Sequence, residues 1–201
     1  MYRSALPLVL ASASPRRLEL LGSLGIDFTV RPSRAPEPAP APGEGPDAYA
    51  MRLAGLKAAA VAEKLPARLD RAAVLAADTI VVLGNRVLGK PRDADDALEM
   101  LRLLRGQTHE VITGCCLLAP GREPAHFAGR TRVRMRAATD AELIAYVATG
   151  EPMDKAGAYA IQGLAACLIS HVEGSYTNVV GLPLAKVLEV LLECGVVIPK
   201  E

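Results

Sequence analysis

Tryptophan is absent, and the 201 residues hold only two phenylalanines and five tyrosines. Single-strand binders stack bases on aromatic faces, so that class is set aside. No sign of charge dominates: Lys and Arg number 23 against 22 Asp and Glu, a formal net charge of +1. General nucleic-acid binding needs a strong basic excess, so no nucleic-acid partner is expected and any anion must be met by locally clustered cations. Histidines number three and cysteines four, and Cys115, Cys116, Cys167 and Cys194 form no CxxC pair, which argues against zinc. No apolar run approaches the ~18 residues of a membrane span, and no leader-like segment opens the chain. The expectation is a protein without a membrane partner in a reducing, cytoplasmic compartment. A GxxxxGK[ST] loop, a GxGxxG after a strand and a GxSxG elbow are all missing, which removes three common nucleotide and hydrolase readings. His109, His126 and His171 show no triad spacing.

What is present is an apolar half of the chain, 51% of residues, ample for a core. The length fits one domain over 1–201, or one domain with a lobed cleft. The stretch Leu8-Val9-Leu10-Ala11-Ser12-Ala13-Ser14-Pro15-Arg16-Arg17 organises the rest. A short apolar strand over 6–11 meets a helix over 15–24, with Ser14 as N-cap, Pro15 at the first position and Gly25 closing it. Arg16 and Arg17 sit in the first turn, where two cations at the positive helix end cost about 0.3–1 kcal/mol each. An anion there would reverse the sign, since free N–H groups and both guanidinium groups could converge on it. The stretch reads either as a phosphate site or as an ordinary strand-to-helix turn with solvated arginines.

Further on, Phe28-Thr29-Val30 reads as a second strand, and residues 32–46 as a proline-rich loop long enough for a lid, with Glu37 inside it. A helix from Asp47 buries Tyr49, Leu53, Leu56 and Ala60. A strand over 74–77 ends in the polar tip Asp78-Thr79, and Gly84-Asn85 is a hairpin turn. Asp93 caps a helix, and Thr139 with Glu142 makes a capping box. In Arg130–Arg136, arginines alternate with Thr131, Val133 and Met135, a strand with one wet face. Asp154 to Gly163 has neither period and sits mid-chain, where function concentrates. An apolar strand over 164–172, a polar turn at 174–178 and a last helix from Leu182 to Glu193 follow. Alternating strands and helices with inserted hairpins give a mixed α/β sheet.

Several apolar strands thus run into polar tips: Ser12 to Arg17, Asp78-Thr79, Lys90, and Asp154-Lys155 with Gln162. Ligands in α/β sheets collect beyond strand ends. If the tips converge, Arg16, Arg17, Lys57, Lys90 and Lys155 around one or two carboxylates suit a polyphosphate. A carboxylate there can hold Mg²⁺ or deprotonate a water.

These residues resemble the Maf nucleoside triphosphate pyrophosphatases, dTTP/UTP branch. The likeness rests on Leu-Ala-Ser-x-Ser-Pro-Arg-Arg at 10–17, Arg52-Leu53-Ala54 with Lys57-Ala58, Ala77-Asp78-Thr79 and Leu88-Gly89-Lys90-Pro91. It continues through His109-x-Val111-x-Thr113-Gly114 and Asp154-Lys155-Ala156-Gly157-Ala158-Tyr159, covering about residues 8–192. Gly55, and Arg105 before Gly106, depart from the usual pattern. The resemblance implies an elongated mixed central sheet flanked by helices, with two lobes around a cleft, similar to the inosine triphosphate pyrophosphatases. It implies hydrolysis of a nucleoside triphosphate to monophosphate and pyrophosphate, with Asp78 as proton acceptor. It implies Ser12, Arg16, Arg17, Lys57, Thr79, Lys90, Lys155 and Gln162 as substrate-binding residues, Arg16, Thr79 and Gln162 for specificity. It implies Mg²⁺ or Mn²⁺ at Asp78 and Glu37, and a homodimer. The rival reading is a nucleotide-binding regulator of cell division or septum formation with little catalysis.

Overall fold

The computed structural model describes residues 1–200. In chain order it runs β1 (Tyr2–Ser4), β2 (Leu8–Leu10), α1 (Pro15–Gly22), β3 (Thr29–Val30), α2 (Pro46–Ala62), β4 (Ala73–Leu83) and β5 (Arg86–Leu88). Then come α3 (Ala94–Leu104), β6 (Thr108–Leu118), β7 (Ala125–Met135), α4 (Asp140–Ala148), β8 (Ile169–Glu173), α5 (Tyr176–Val180), α6 (Leu184–Glu193) and β9 (Val197–Pro199). A mixed seven-stranded sheet has the order β3-β2-β4-β6-β7-β8, with β5 paired to β4. β2 is parallel to both β3 and β4, with Leu10 opposite Val30 and Leu75. β4 and β5 form the antiparallel hairpin around Gly84-Asn85. β1 and β9 pair antiparallel in a small sheet of their own.

The chain gathers into two compact units. One holds Met1–Asp78, Thr113–Gly129 and the chain from Gly181 onward; the other holds Thr79–Ile112 and Arg130–Val180. β4, β6 and β7 therefore each contribute residues to both. In the first unit β2 is buried on both faces: Leu8 and Leu10 join a cluster with Leu21, Leu75, Leu117 and Leu191, while Val9 and Ala11 join Ala54, Ala58, Val74 and Cys116. A strand covered on both sides needs an unbroken apolar run, and that is what its sequence shows. The second unit has its own core, built on Val81, Leu101, Leu104, Val111, Met135 and Leu143.

Local signals hold. Asp93 accepts from the Asp96 amide at 2.8 Å, and Thr139 with Glu142 closes the capping box. Thr131, Val133 and Met135 are buried while Arg130, Arg132 and Arg134 face out. Four expectations are corrected. The 74–77 strand does not end at Asp78-Thr79; β4 continues through them for eleven residues, because the apolar run Ile80–Leu83 keeps pairing. α2 buries Ala50, Ala54, Ala58 and Val61 beside Tyr49 and Leu53, and leaves Leu56 exposed, since small side chains let the helix lie close to its neighbours. Residues Leu164–Leu168 form a 3₁₀ turn before the strand begins at Ile169. The polar turn at 174–178 merges into the short helix α5, with Asn178 buried.

Candidate active site

The first unit assembles a charged centre from three elements. Ala11 is held to β4 by its amide on Leu75 O (2.8 Å), which fixes the exit from β2. Buried Ser12 then takes the Ser14 amide on its Oγ at 3.2 Å, and Pro15 opens α1. Ser14 stands at the N-cap but its side chain makes no capping bond, so the turn is braced by Ser12 instead.

The two arginines part company. Arg17 donates from Nε to Gly181 O at 2.7 Å and from Nη1 to Ala77 O at 2.8 Å. Its fork is thus committed to backbone carbonyls, one of them next to Asp78. The two arginines, expected as a pair at one anion, thus differ in their surroundings. Burial lowers the Arg17 pKa, Asp78 opposes that, and the Arg16 charge adds to the lowering. Arg16 is half-buried and has no hydrogen-bond or ion-pair partner among the described residues.

Asp78 is 7% exposed, inside β4. The Lys57 ammonium, from α2, donates to its Oδ1 and also meets Glu37 Oε1 at 2.5 Å. One cation is therefore shared by a strand carboxylate and a loop carboxylate. α2 reaches this point because Gly45 and Pro46 start it cleanly and Gly114 of β6 lets its backbone lie very close. Burial first, then the Asp78 charge, raises the Tyr49 pKa, a sign that the α2 face senses the carboxylates. Gly55, a departure from the family pattern, gives room to His126: a Cβ there would lie 2.9 Å from the imidazole Cε1.

Sequence reasoning missed the anchor of the proline-rich loop. Arg52 of α2 holds Glu44 through two bonds, 2.6 Å to Oε1 and 2.7 Å to Oε2. That hydrogen bonding, with the Ala41 amide, takes the Glu44 carboxyl down to about 2. The pair lies eight residues apart, and only a helix start placed at Pro46 would have suggested it.

The second unit carries the other expected residues. Thr79 follows Asp78 on β4 and so faces the opposite side of the strand. Lys90 follows β5, is exposed, and has no partner among the described residues. The preceding Gly89 accepts on its carbonyl from the Gly157 amide at 3.0 Å. Gly157 has φ +67°, and a Cβ on it would meet the Val81 side chain at 2.9 Å, so the 156–158 turn is pressed onto β4. Lys155, just before it, pairs with Asp154. Tyr159 donates or accepts with buried His109 at 2.7 Å. Gln162 is half-buried beside Gly163 at φ +129°, and its amide has no partner among the described residues.

The charged centre suits phosphate chemistry. An acidic group beside a lysine can orient and deprotonate water, and an unpaired cation such as Arg16 in the same unit can neutralise phosphate oxygens. No group of three or more His, Cys, Asp or Glu placed to hold a metal ion occurs among the described residues. Two carboxylates already gathered around one cation still match the sparse protein contribution of a Mg²⁺ site completed by phosphates and water.

The chain is similar over nearly its whole length to known proteins. A dTTP/UTP pyrophosphatase of Nitratidesulfovibrio vulgaris is 50% identical over 198 residues, covering 98% of this chain and 91% of that protein. One from Geobacter metallireducens is 52% identical over 189 residues, covering 94% and 96%. Among solved structures the Staphylococcus aureus Ham1 protein shares the fold at TM-score 0.52 and 17% identity, over 93% of this chain and 98% of that one. The family described as Maf-like protein matches residues 7–194, nearly the whole length. The chain belongs to the Maf family.

Proposed function

We propose that this protein hydrolyses nucleoside triphosphates, dTTP and UTP foremost, to the monophosphate and pyrophosphate, as a house-cleaning activity that extends to modified pyrimidine nucleotides. The observation that carries the reading is the Lys57 ammonium shared by Asp78 and Glu37. Its setting in a chain half identical to dTTP/UTP pyrophosphatases supports the substrate class. In phosphoryl chemistry the protein mostly positions groups and offsets charge. Asp78 takes a proton from the water that adds across the α–β anhydride, and the pyrophosphate leaves with the bridging electron pair. Lys57 holds the Asp78 carboxylate in place. Arg16, Lys90 and Lys155 bind phosphate oxygens, and Arg17 braces the backbone beside Asp78. Ser12 shapes the turn that presents Arg16, and Thr79 and Gln162 contact the nucleoside. A glutamine amide offers both a donor and an acceptor, which matches the imide edge of thymine or uracil. Asp78 and Glu37 would hold a divalent cation, Mg²⁺ or Mn²⁺, which supplies charge neutralisation and a more acidic water when bound.

In the same reading the protein works in the cytoplasm as a homodimer. No helix among the described residues is long and apolar enough to cross a membrane. The test is pyrophosphate release from a panel of canonical and modified triphosphates with Mg²⁺. Asp78→Asn should lower kcat by about 10³-fold, the range of general base catalysis, while circular dichroism stays unchanged. A folded variant with near wild-type turnover would remove Asp78 from the role. No release from any triphosphate by the unmutated protein would favour the regulator of division.

A further inference from the structure

We propose that Glu151 is a positioning residue that sets the base preference by fixing the Gln162-Gly163 turn; this rests on the nucleoside role given to Gln162. Glu151 follows the left-handed Gly150 at the end of α4. Its carboxylate reaches across the second unit to a segment thirteen residues on. Oε2 accepts from the Leu164 amide at 3.0 Å, and Oε1 from the Ala165 amide at 3.3 Å. Oε1 also accepts from the Tyr146 hydroxyl at 2.9 Å. The two amides are the first of the Leu164–Leu168 turn, whose own N-cap, Gly163, has no side chain to serve them.

Gly163 completes the lock. It stands at φ +129°, ψ −156°, a conformation that only glycine adopts readily, and a Cβ there would lie 2.5 Å from Glu151 Oε2. The carboxylate therefore packs directly on the Gly163 α-carbon. Gln162 is the residue before it, so this packing fixes the backbone from which its side chain extends. Burial opposes ionisation of Glu151, but the Leu164, Tyr146 and Ala165 hydrogen bonds and the Lys155 charge outweigh it and leave its pKa below the usual glutamate value. The acceptor is thus an anion across the working pH range. Its hydrogen-bond donors are all neutral groups of the turn and of α4, and Lys155 acts on it through charge alone as the last of the causes, so its influence falls on recognition more than on the chemical step.

The experiment compares Glu151→Gln, Tyr146→Phe and Gln162→Ala with the unmutated enzyme on dTTP, UTP and dCTP, whose cytosine lacks the imide N–H. Thermal melts accompany the kinetics. Glu151→Gln puts an NH₂ where amide donors point. It should raise KM for dTTP and UTP about tenfold, leave kcat within about twofold, and pull the dTTP-to-dCTP ratio of kcat/KM toward that of Gln162→Ala. Tyr146→Phe spares both backbone bonds and should give a smaller change of the same kind. It carries the test if Glu151→Gln does not fold. The Glu151→Gln/Gln162→Ala pair should lose no more preference than Gln162→Ala alone. If Gln162→Ala destroys the preference while folded Glu151→Gln and Tyr146→Phe keep it, Glu151 is only a structural cap. If Gln162→Ala keeps the preference, or the unmutated enzyme has none, the role of Gln162 fails and this proposal with it.

Discussion

His109 is 2% exposed, and its Nδ1 has no hydrogen-bond partner among the described residues. Its ring meets Tyr159 edge-on, with centroids 5.4 Å apart. Burial lowers the imidazole from 6.5 to about 4. Burial likewise raises the Tyr159 phenol, so neither group carries charge near neutral pH. Between pH 6.5 and about 4 the unfolded chain binds a proton at this histidine that the folded chain does not. The resulting stability is complete above 6.5 and is lost as pH falls toward 4, by up to about 3 kcal/mol. Urea unfolding at pH 7.5 and pH 4.5 should show that loss, and His109→Gln should shrink the difference. An unchanged difference in the variant would assign the acid sensitivity elsewhere. The thiols of Cys115 and Cys116 are similarly quiet: burial pushes them up to about 12 and about 11, which makes them packing groups rather than nucleophiles.

Gly114 shows how an element depends on one missing carbon. A Cβ there would lie 2.2 Å from the Ala50 carbonyl carbon and 2.3 Å from the Met51 nitrogen. Backbone meets backbone, so nothing flexible can give. Gly114→Ala should cost about 3 kcal/mol, the upper part of the overpacking range, and should impair turnover too because α2 carries Lys57; chemical denaturation with a parallel activity assay checks both. Wild-type stability in this variant would mean that β6 and α2 can separate at little cost. The family motif flagged Gly114, but only the fold supplies this reason for it. Elements with local signals could be read directly: Pro15, Asp93 and Thr139 each mark a helix start, and Gly84-Asn85 marks a hairpin. β1 and β9 could not, since each has three residues and pairs with the far end of the chain. Asp78 looked like a strand tip because a carboxylate seldom sits within a buried strand. Its charge is met by Lys57, 21 residues away, and that distance hides the compensation. Residue types at the site were visible in the motifs, whereas the Glu37–Lys57–Asp78 meeting, the Arg52–Glu44 anchor and the Glu151 brace depend on partners that fold geometry supplies.

With a net charge of +1, the molecule has little long-range field to draw in a triphosphate. Affinity must come from the local cations, and it is read out as added stability. The unmutated protein should gain about 2.7 kcal/mol with Mg²⁺ and dTTP carrying a non-hydrolysable α–β bridge, at 100 times Kd. At this length that raises Tm by about 5–10 °C. An unmoved Tm at a saturating level of this analogue would contradict nucleotide binding. Each unit keeps its own apolar cluster, so a loss confined to one cluster need not empty the other. The passage of β4 straight through Asp78 has a consequence for ancestry. The proposed hydrolytic carboxylate is embedded in a strand whose every neighbour constrains it, while the proposed reader of the base hangs from a short turn closed by one glycine and one glutamate. Mutational drift can reshape the turn and leave the strand alone, so a lineage can exchange one nucleotide for another without reinventing its hydrolysis.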